Sequence, residues 1–259
     1  MTPLRTAREL VGRERSYHAD RKLGWSLAFV AGAINAGGFL AVGQYTSHVT
    51  GAVSSAADHL VLGQHPLAFT ALGAVVAFLA GAVACAVMVN YARRRDLTSA
   101  FALPLLLEAL LILLFGVAGS GLSQETALLL PATVLLLSFL MGLQNAVVTK
   151  LSERVIRTTH MTGIVTDLGI ELGKWIYWNR SKDRGAAVQA DPERLRVLGG
   201  LLLAFFVGGI VGAYGFKTIG YTFTIPIAMV LLLVGGVPLV DDIRSRGAGV
   251  AGDSNSNSN

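Results

Sequence analysis

The sequence predicts an all-α, polytopic membrane protein, a transmembrane helix bundle of six spans. Hydrophobic residues make up 53% of the 259 residues and charged residues only 14%, whereas a soluble domain carries about 25% charge. Several apolar runs also have roughly the 20-residue length that crosses the hydrocarbon layer as a helix. This deficit of charge excludes a soluble core of such a size, so most of the chain should face lipid.

The membrane domain is predicted to comprise residues 23–240, between a basic tail at 1–22 and a disordered tail at 241–259. The second tail ends in Ser-Asn repeats, a composition that cannot build a core. A cleaved signal peptide is an alternative for the start, because Ala31-Gly32-Ala33 is similar to a cleavage site. The predicted spans lie at about 24–42, 67–91, 101–118, 127–149, 197–216 and 221–239.

The positions of lysine and arginine predict the orientation. Basic residues cluster before the first span, after the second, around 150–196 and after the sixth, while the loop after the fifth has Lys217 alone. Cytoplasmic loops carry an excess of these residues, so both termini are expected in the cytoplasm. The net charge of +5 is therefore attributed to membrane topology, and no nucleic acid partner is expected.

The two halves of the domain, about 24–118 and 127–239, are predicted to be repeats. Because each repeat has three spans, the second enters the bilayer from the opposite side, as in the inverted repeats of secondary transporters. Four segment pairs match in order, at offsets of 110, 112, 127 and 122 residues: Gly32–Ala36 with Gly142–Ala146, His48–Gly51 with His160–Gly163, Ala77–Gly81 with Ala204–Gly208, and Phe101–Leu105 with Phe223–Ile227.

A polar motif, His-x-Thr-Gly, occurs once in each half. Glycine ends a helix cheaply, and Thr50 and Thr162 can cap the helix that follows. Irregular backbone at membrane depth is tolerated only where it lines a cavity or is buried in protein. Residues 43–63 and 150–178 are therefore interpreted as broken or re-entrant elements whose helix N-termini suit anions. The alternative is an ordinary loop followed by an interfacial amphipathic helix.

Further polar residues near the motifs are candidates for the same site. Asn35 and Asn145 lie inside apolar runs, where an amide binds either a ligand or a neighbouring helix. Asp167 and Glu171 share a helix face, at positions that match Ser55 and His59. They form either a proton or cation relay or a solvated face with a Glu171–Lys174 pair.

Glu108 lies inside the third span. A charge at mid-bilayer costs roughly 2.5–3.5 kcal/mol on insertion scales, so Glu108 should face the bundle interior or stay protonated. Histidine side chains change protonation near neutral pH. Glu108 and His160 are therefore the candidate proton-coupling groups, with a structural role for Glu108 as the alternative.

Metal and enzyme chemistry are not expected. The histidines lack the spacing of metal-binding motifs, and no nucleophile or phosphate-binding motif stands in a suitable context. Cys85 is the single cysteine of the chain and lies in an apolar run. We therefore expect Cys85 to be a packing residue, and we expect no disulfide framework. No cofactor is expected.

Six segments of the chain carry a resemblance to a known family: Ala31–Leu40, His48–Gly51, Gly142–Ala146, Val148–Leu151, Arg157–Gly163 and Thr166–Gly169. On these segments the chain resembles the bacterial YoaK family of six-span membrane proteins, which are often regarded as small-molecule transporters without an established substrate. The resemblance covers roughly residues 22–240 and implies a plasma-membrane location. This chain has Asn35 where that family often has aspartate and Ala52 where it often has asparagine, which puts ion coupling at those positions in doubt.

The expected function is secondary transport of a small solute across the bacterial inner membrane, with the binding site between the repeats. A non-transporting scaffold or regulatory subunit and a channel are the alternatives. Expected partners are the lipid bilayer, an unidentified small molecule and a second copy of the chain. The predicted substrate contacts are Asn35, His48, Thr50, Asn145, His160, Thr162 and Asp167.

Overall fold

The computed structural model is all-α and describes residues 17–95, 97, 100–121, 129–152, 161–177, 188–236 and 240. Its α-helices are α1 (Tyr17–Val42), α2 (Val49–Val61), α3 (His65–Arg94), α4 (Ala102–Gly121), α5 (Leu129–Ser152), α6 (Met161–Ile176) and α7 (Pro192–Ile219). A 3-10 turn, Gly220–Phe223, leads into a last helix, α8, over residues 224–236. Most of the first predicted tail and all of the second lie outside the described residues.

Five segments of the described chain are long and apolar enough to cross a membrane. Four coincide with the first four predicted spans. The fifth, Pro192–Gly236, is 45 residues long and includes the predicted fifth and sixth spans. The prediction of a multi-pass helical membrane protein is therefore confirmed.

Contacts along the helices give their directions. Residue numbers rise together along α1 and α7 and along α3 and α5, whereas they run oppositely along α1 and α5, α4 and α5, and α4 and α8. Helices α1, α4 and α7 therefore point one way and α3, α5 and α8 the other. The contacts that give these directions are Gly24–Leu201 and Gly37–Phe216 for α1 and α7, and Gly73–Leu135 and Gly81–Leu143 for α3 and α5. They are Leu27–Gln144 and Gly38–Leu137 for α1 and α5, and Glu108–Gln144 and Gly121–Leu129 for α4 and α5. For α4 and the segment that leads into α8 they are Leu105–Gly235 and Gly119–Tyr221.

Two glycines bring α1 and α7 into close contact. A Cβ added to Gly32 would overlap the backbone carbonyl of Phe205, and one added to Gly208 would overlap the carbonyl of Phe29. Small residues at such crossings let helix backbones approach in a membrane, where packing rather than the hydrophobic effect holds helices together.

Helices α3 and α5 meet in the same way. A Cβ on Gly81 would overlap the carbonyl of Phe139, and one on Gly142 would overlap the carbonyl of Phe78. Each of these two helix pairs therefore has a glycine from either partner at its crossing, and Gly212 of α7, whose added Cβ would overlap the backbone of Ala33, extends the contact between α1 and α7.

The long helices present large apolar side chains on the outside of the bundle. In α3, Val76, Leu79, Val83 and Val87 are 64%, 61%, 53% and 61% exposed and recur at helical spacing on one face. An exposed apolar stripe of this kind suits contact with lipid, since lipid tails are as apolar as these side chains.

The first turns of the helices follow the local sequence. Asp191 caps α7, because its carboxylate accepts hydrogen bonds from the backbone N–H groups of Glu193 at 2.9 Å and Arg194 at 3.2 Å. The predicted caps of the two motif helices are wrong. Helix α2 begins at Val49 after His48, and α6 begins at Met161, so both motif threonines lie inside their helices and cannot cap them.

Candidate functional site

A cavity of about 220 Å³ lies among α1, α2, α3, α5, α6 and α7, and we call it the central cavity. It brings together four of the predicted substrate residues. His48 and Thr50 come from the first motif, Thr162 from the second, and Asn145 from α5. Two segments more than one hundred residues apart in the sequence therefore meet around one space.

Asn35 is connected to the central cavity through a hydrogen bond with Ser47. The hydroxyl of Ser47, which lines the cavity, donates a hydrogen bond to Asn35 Oδ1 at 2.8 Å. Helix α1 continues to Val42, so Asn35 lies roughly 10 Å below its end at 1.5 Å per residue. The chain after α1 therefore folds back along the helix before α2 begins.

Asn145 lines the central cavity and keeps one side-chain acceptor unused among the described residues. One Nδ2 hydrogen is used within α5, because it is donated to the backbone carbonyl of Met141 at 2.8 Å. The Oδ1 atom accepts no hydrogen bond from any residue in the described ranges, so it is free to accept one from a ligand.

The geometry of His48 explains the glycine of the first motif. A Cβ on Gly51 would come within 2.8 Å of His48 Nδ1, so the imidazole lies over the first turn of α2 and leaves no room for a side chain there. His48, Val49 and Phe78 also line a second cavity, which places them between the two spaces.

The second cavity has a volume of about 470 Å³, and we call it the α2 cavity. Its walls come from the loop after α1, from α2, and from the first halves of α3 and α5. Ser55 and His59 line it, as does Ser138 of α5. Ser138 is only 1% exposed, and its hydroxyl has no hydrogen-bond partner within the part of the chain that the structure describes.

Asp167 and Glu171 lie apart from the central cavity, in a group that we call the α6–α7 ion-pair cluster: Asp167, Glu171, Lys174 and Arg194. Arg194 donates to Asp167 at 2.9 Å and lies 3.6 Å from Glu171, and Lys174 donates to Glu171 at 2.8 Å. The Glu171–Lys174 pair is present, but Glu171 is 1% exposed, so the predicted solvated face is wrong at this residue.

Hydrogen bonds to Glu171 explain its electrostatics. The ammonium of Lys174 and, next, the backbone N–H of Asp191, at 3.0 Å, hold the pKa of Glu171 below its usual range. Because the charged carboxylate joins α6 to the start of α7, this contact is strongest when Glu171 is ionised.

Glu108 faces the bundle interior, as predicted, and is 0% exposed. Gln144 Nε2 donates to Glu108 Oε1 at 2.7 Å, while Oε2 has no partner among the described residues. Gln144 is 2% exposed and lines the central cavity, so it links the cavity to Glu108. The sequence prediction missed Gln144, although it stands beside Asn145 in a matched segment of an apolar span.

The remaining sequence predictions concern His160, Cys85 and metal binding. His160 lies outside the described residues, so its place at the site stays a prediction. Cys85 is fully buried in the apolar core, as expected of a packing residue. Over the described ranges, no three His, Cys, Asp or Glu side chains are grouped so that they could hold a metal ion.

Fold and cavities together define a polytopic helical membrane protein with polar groups around an internal space. Over residues 23–237 the chain matches the model of the family described as "Protein of unknown function (DUF1275)", and it belongs to that family. The description carries no function. No curated protein and no solved structure matches the chain.

Proposed function

We propose that this protein is a secondary transporter of a small solute, with the central cavity as its binding site. The supporting observation is that both His-x-Thr-Gly segments border this cavity, through His48, Thr50 and Thr162. A scaffold that used these polar groups only for packing would have no need to arrange them around an open space. We place the protein in the bacterial inner membrane, with both termini in the cytoplasm.

The volume of the central cavity limits the size of the solute. This volume is about 220 Å³. This is below the range of about 300–1,000 Å³ typical of sites for drug-sized ligands. The transported solute is therefore a small one, held by hydroxyl, imidazole and amide groups.

The close helix crossings support an inverted repeat as the frame of this transporter. By the offsets of the sequence repeat, Gly32 corresponds to Gly142 and Phe205 to Phe78. The contact of Gly32 with the Phe205 carbonyl thus has a counterpart between Gly142 and the Phe78 carbonyl. Because α1 and α5 are antiparallel, the relation between the two halves is an inversion, and six passes follow for the whole domain.

The second pair of glycine contacts obeys the same relation. Gly81 corresponds to Gly208 and Phe139 to Phe29, and both glycines meet the carbonyl of the opposite phenylalanine. The sequence offsets of the repeat convert these four contacts into one another, which is difficult to attribute to chance. Two similar halves of opposite orientation can produce two similar conformations, each open to one side.

Differences between the halves suggest which side is open. Ser55 and His59 line the open α2 cavity, whereas their counterparts Asp167 and Glu171 are joined to α7 by the α6–α7 ion-pair cluster. We assign the α2 side to the outside of the cell, following the basic-residue rule. The structure then corresponds to a transporter that is open outward and closed inward.

Glu108 is the proposed proton-coupling residue. A fully buried carboxylate with one oxygen unpartnered among the described residues is unfavourable, and taking up a proton removes the charge. Gln144 contacts both Glu108 and the central cavity, so a change of charge on Glu108 alters the hydrogen bonding of a cavity residue.

A ligand screen followed by vesicle uptake tests the proposal. Purified protein is screened for small solutes that raise its unfolding temperature, and each hit is measured for uptake into vesicles that contain the protein. Uptake should saturate with concentration and fall at least tenfold in Asn145→Ala. The matched control is Asn90→Ala, since Asn90 is exposed in the last part of α3.

Three results would count against transport in different ways. Uptake that is equal in the two asparagine variants removes the central cavity from the mechanism. Flux that rises without saturation indicates a channel. A complete absence of uptake for every stabilising solute favours the scaffold.

A further inference from the structure

The α2 cavity has the features of a second ligand site, separate from the central cavity. We propose that it binds the carboxylate of a small organic acid between the hydroxyl of Ser138 and the first turn of α2. The inference deepens the proposed function by naming the class of solute. It rests on that function only for the step from binding to transport.

The hydroxyl of Ser138 is the first observation. Serine and threonine in helices commonly donate to the carbonyl four residues earlier, and Thr133 in the same helix does so, to Leu129 at 2.7 Å. Ser138 makes no such bond, although it is 1% exposed. A buried hydroxyl without a partner is rare in folded proteins, and one on a cavity wall marks a place for a ligand atom that accepts a hydrogen bond.

The first turn of α2 is the second observation. Its earliest helical hydrogen bond joins the N–H of Ala52 to the carbonyl of His48 at 3.0 Å, so the N–H groups of Val49, Thr50 and Gly51 precede the regular pattern. No side chain caps this 13-residue helix. Val49 and Gly51 line the α2 cavity, and uncapped N–H groups at a helix N-terminus favour a negative charge.

The charge of the lining is the third observation. No aspartate or glutamate is among the described residues that line the α2 cavity, so nothing there repels an anion. Much of the remaining wall is apolar and includes Leu67, Val75, Leu130 and Val134. A single carboxylate on an apolar body fits this lining better than a multiply charged anion, whose further charges would meet apolar walls.

Calorimetric titration of the full-length protein in detergent tests the site with two probes of equal shape. Benzoate carries the carboxylate, and benzamide is its neutral counterpart. We expect benzoate to bind at least tenfold more tightly than benzamide. Ser138→Ala should weaken benzoate binding about tenfold, or roughly 1.4 kcal/mol, while leaving benzamide binding less affected.

Two further variants separate the site from a general effect on folding. Ser120→Ala is the control, because the Ser120 hydroxyl donates to the carbonyl of Val117 at 2.7 Å in α4 and Ser120 does not line this cavity. Ala52→Glu places a negative charge beside the first turn of α2, where an acidic residue also suits the helix. It should abolish benzoate binding and preserve the unfolding temperature.

The possible outcomes either support or overturn the inference. Equal binding of benzoate and benzamide, equal effects of the two serine variants, or no binding of either probe would overturn it. Uptake of labelled benzoate into vesicles is measured in parallel. Binding without uptake supports the site and contradicts transport of this class, whereas saturable uptake of other solutes without benzoate binding removes the site and leaves the transporter.

Discussion

Breaking the α6–α7 ion-pair cluster at Arg194 is the sharpest test of the inward-closed assignment. The side chains of Arg194 and Asp167 are 41% and 15% exposed, and their atoms lie 2.9 Å apart. Exposed pairs contribute about 0–1 kcal/mol, and losing one partner of a fully buried pair costs about 3–5 kcal/mol. A half-exposed pair lies between these limits, so Arg194→Met should weaken the closed state by about 1–2 kcal/mol.

A change of this size is measurable as accessibility. A difference of one or two kcal/mol alters an equilibrium by a factor of about 5–30. Ile164→Cys, in a Cys85→Ala background, reports on the α6 side of the central cavity, because Ile164 lines this cavity and is 2% exposed. Its labelling rate by a membrane-impermeant maleimide should rise by that factor in Arg194→Met, and only when the reagent is applied to the cytoplasmic side.

The control for this experiment is Arg93→Met, which removes an exposed arginine from the last turn of α3 and leaves the cluster intact. If Ile164→Cys is labelled at the same rate in both arginine variants, the cluster does not close this side. If labelling rises equally from both sides, the variant has loosened the bundle rather than opened a gate.

Three other predictions follow from the packing and the charges. Gly142→Ala should destabilise the protein by about 1–3 kcal/mol or more, because the new Cβ would overlap the Phe78 carbonyl. The control Gly169→Ala has open space around it and should be neutral or stabilise α6 by up to about 1 kcal/mol. Equal unfolding midpoints of the two variants in denaturant would contradict this prediction. The lowered pKa of Glu171 means that the stabilisation from ionised Glu171 is present above its unfolded pKa and is lost as pH falls through the lower folded value. Labelling of Ile164→Cys should therefore rise at acidic pH and become less pH-dependent in Glu171→Gln. Glu108→Gln preserves a hydrogen-bond acceptor for Gln144, so the unfolding temperature of the protein should not change. Solute uptake by this variant should no longer depend on pH. If uptake keeps its pH profile, Glu108 is not the proton-coupling residue.

The spans could be predicted from the sequence because their length is set by the bilayer and not by tertiary contacts. Runs of about 20 apolar residues correspond to the long helices within a few residues at each end. His48, Asn145 and Thr162 meet around one cavity, as expected. Polar segments repeated in an apolar chain are unfavourable against lipid, so they are expected inside the bundle. These predictions rest on composition and on spacing alone.

Other parts of the site could not be predicted because they depend on helix rotation and on distant partners. Gln144 and Asn145 are adjacent in sequence, yet Gln144 contacts Glu108 while Asn145 bonds within its own helix. Asp167 was expected at the site, but Arg194, 27 residues further along, holds it in the ion-pair cluster. Ser138 has no sequence signal at all, because only the packed structure shows that its hydroxyl lacks a partner.

The contrast between the two motif helices connects the structure with directionality. His59 Nδ1 and Gln64 Oε1 lie 2.7 Å apart at the start of α3, and the matching positions in the second half carry the contact between Glu171 and the backbone N–H of Asp191. The same junction is therefore made once between a histidine and a glutamine side chain and once with a carboxylate that two cations surround. Two perfectly equal halves would open to either side with equal ease. An ion-pair junction on one side alone biases the resting state, and salt that screens its charges should weaken that side more than the other.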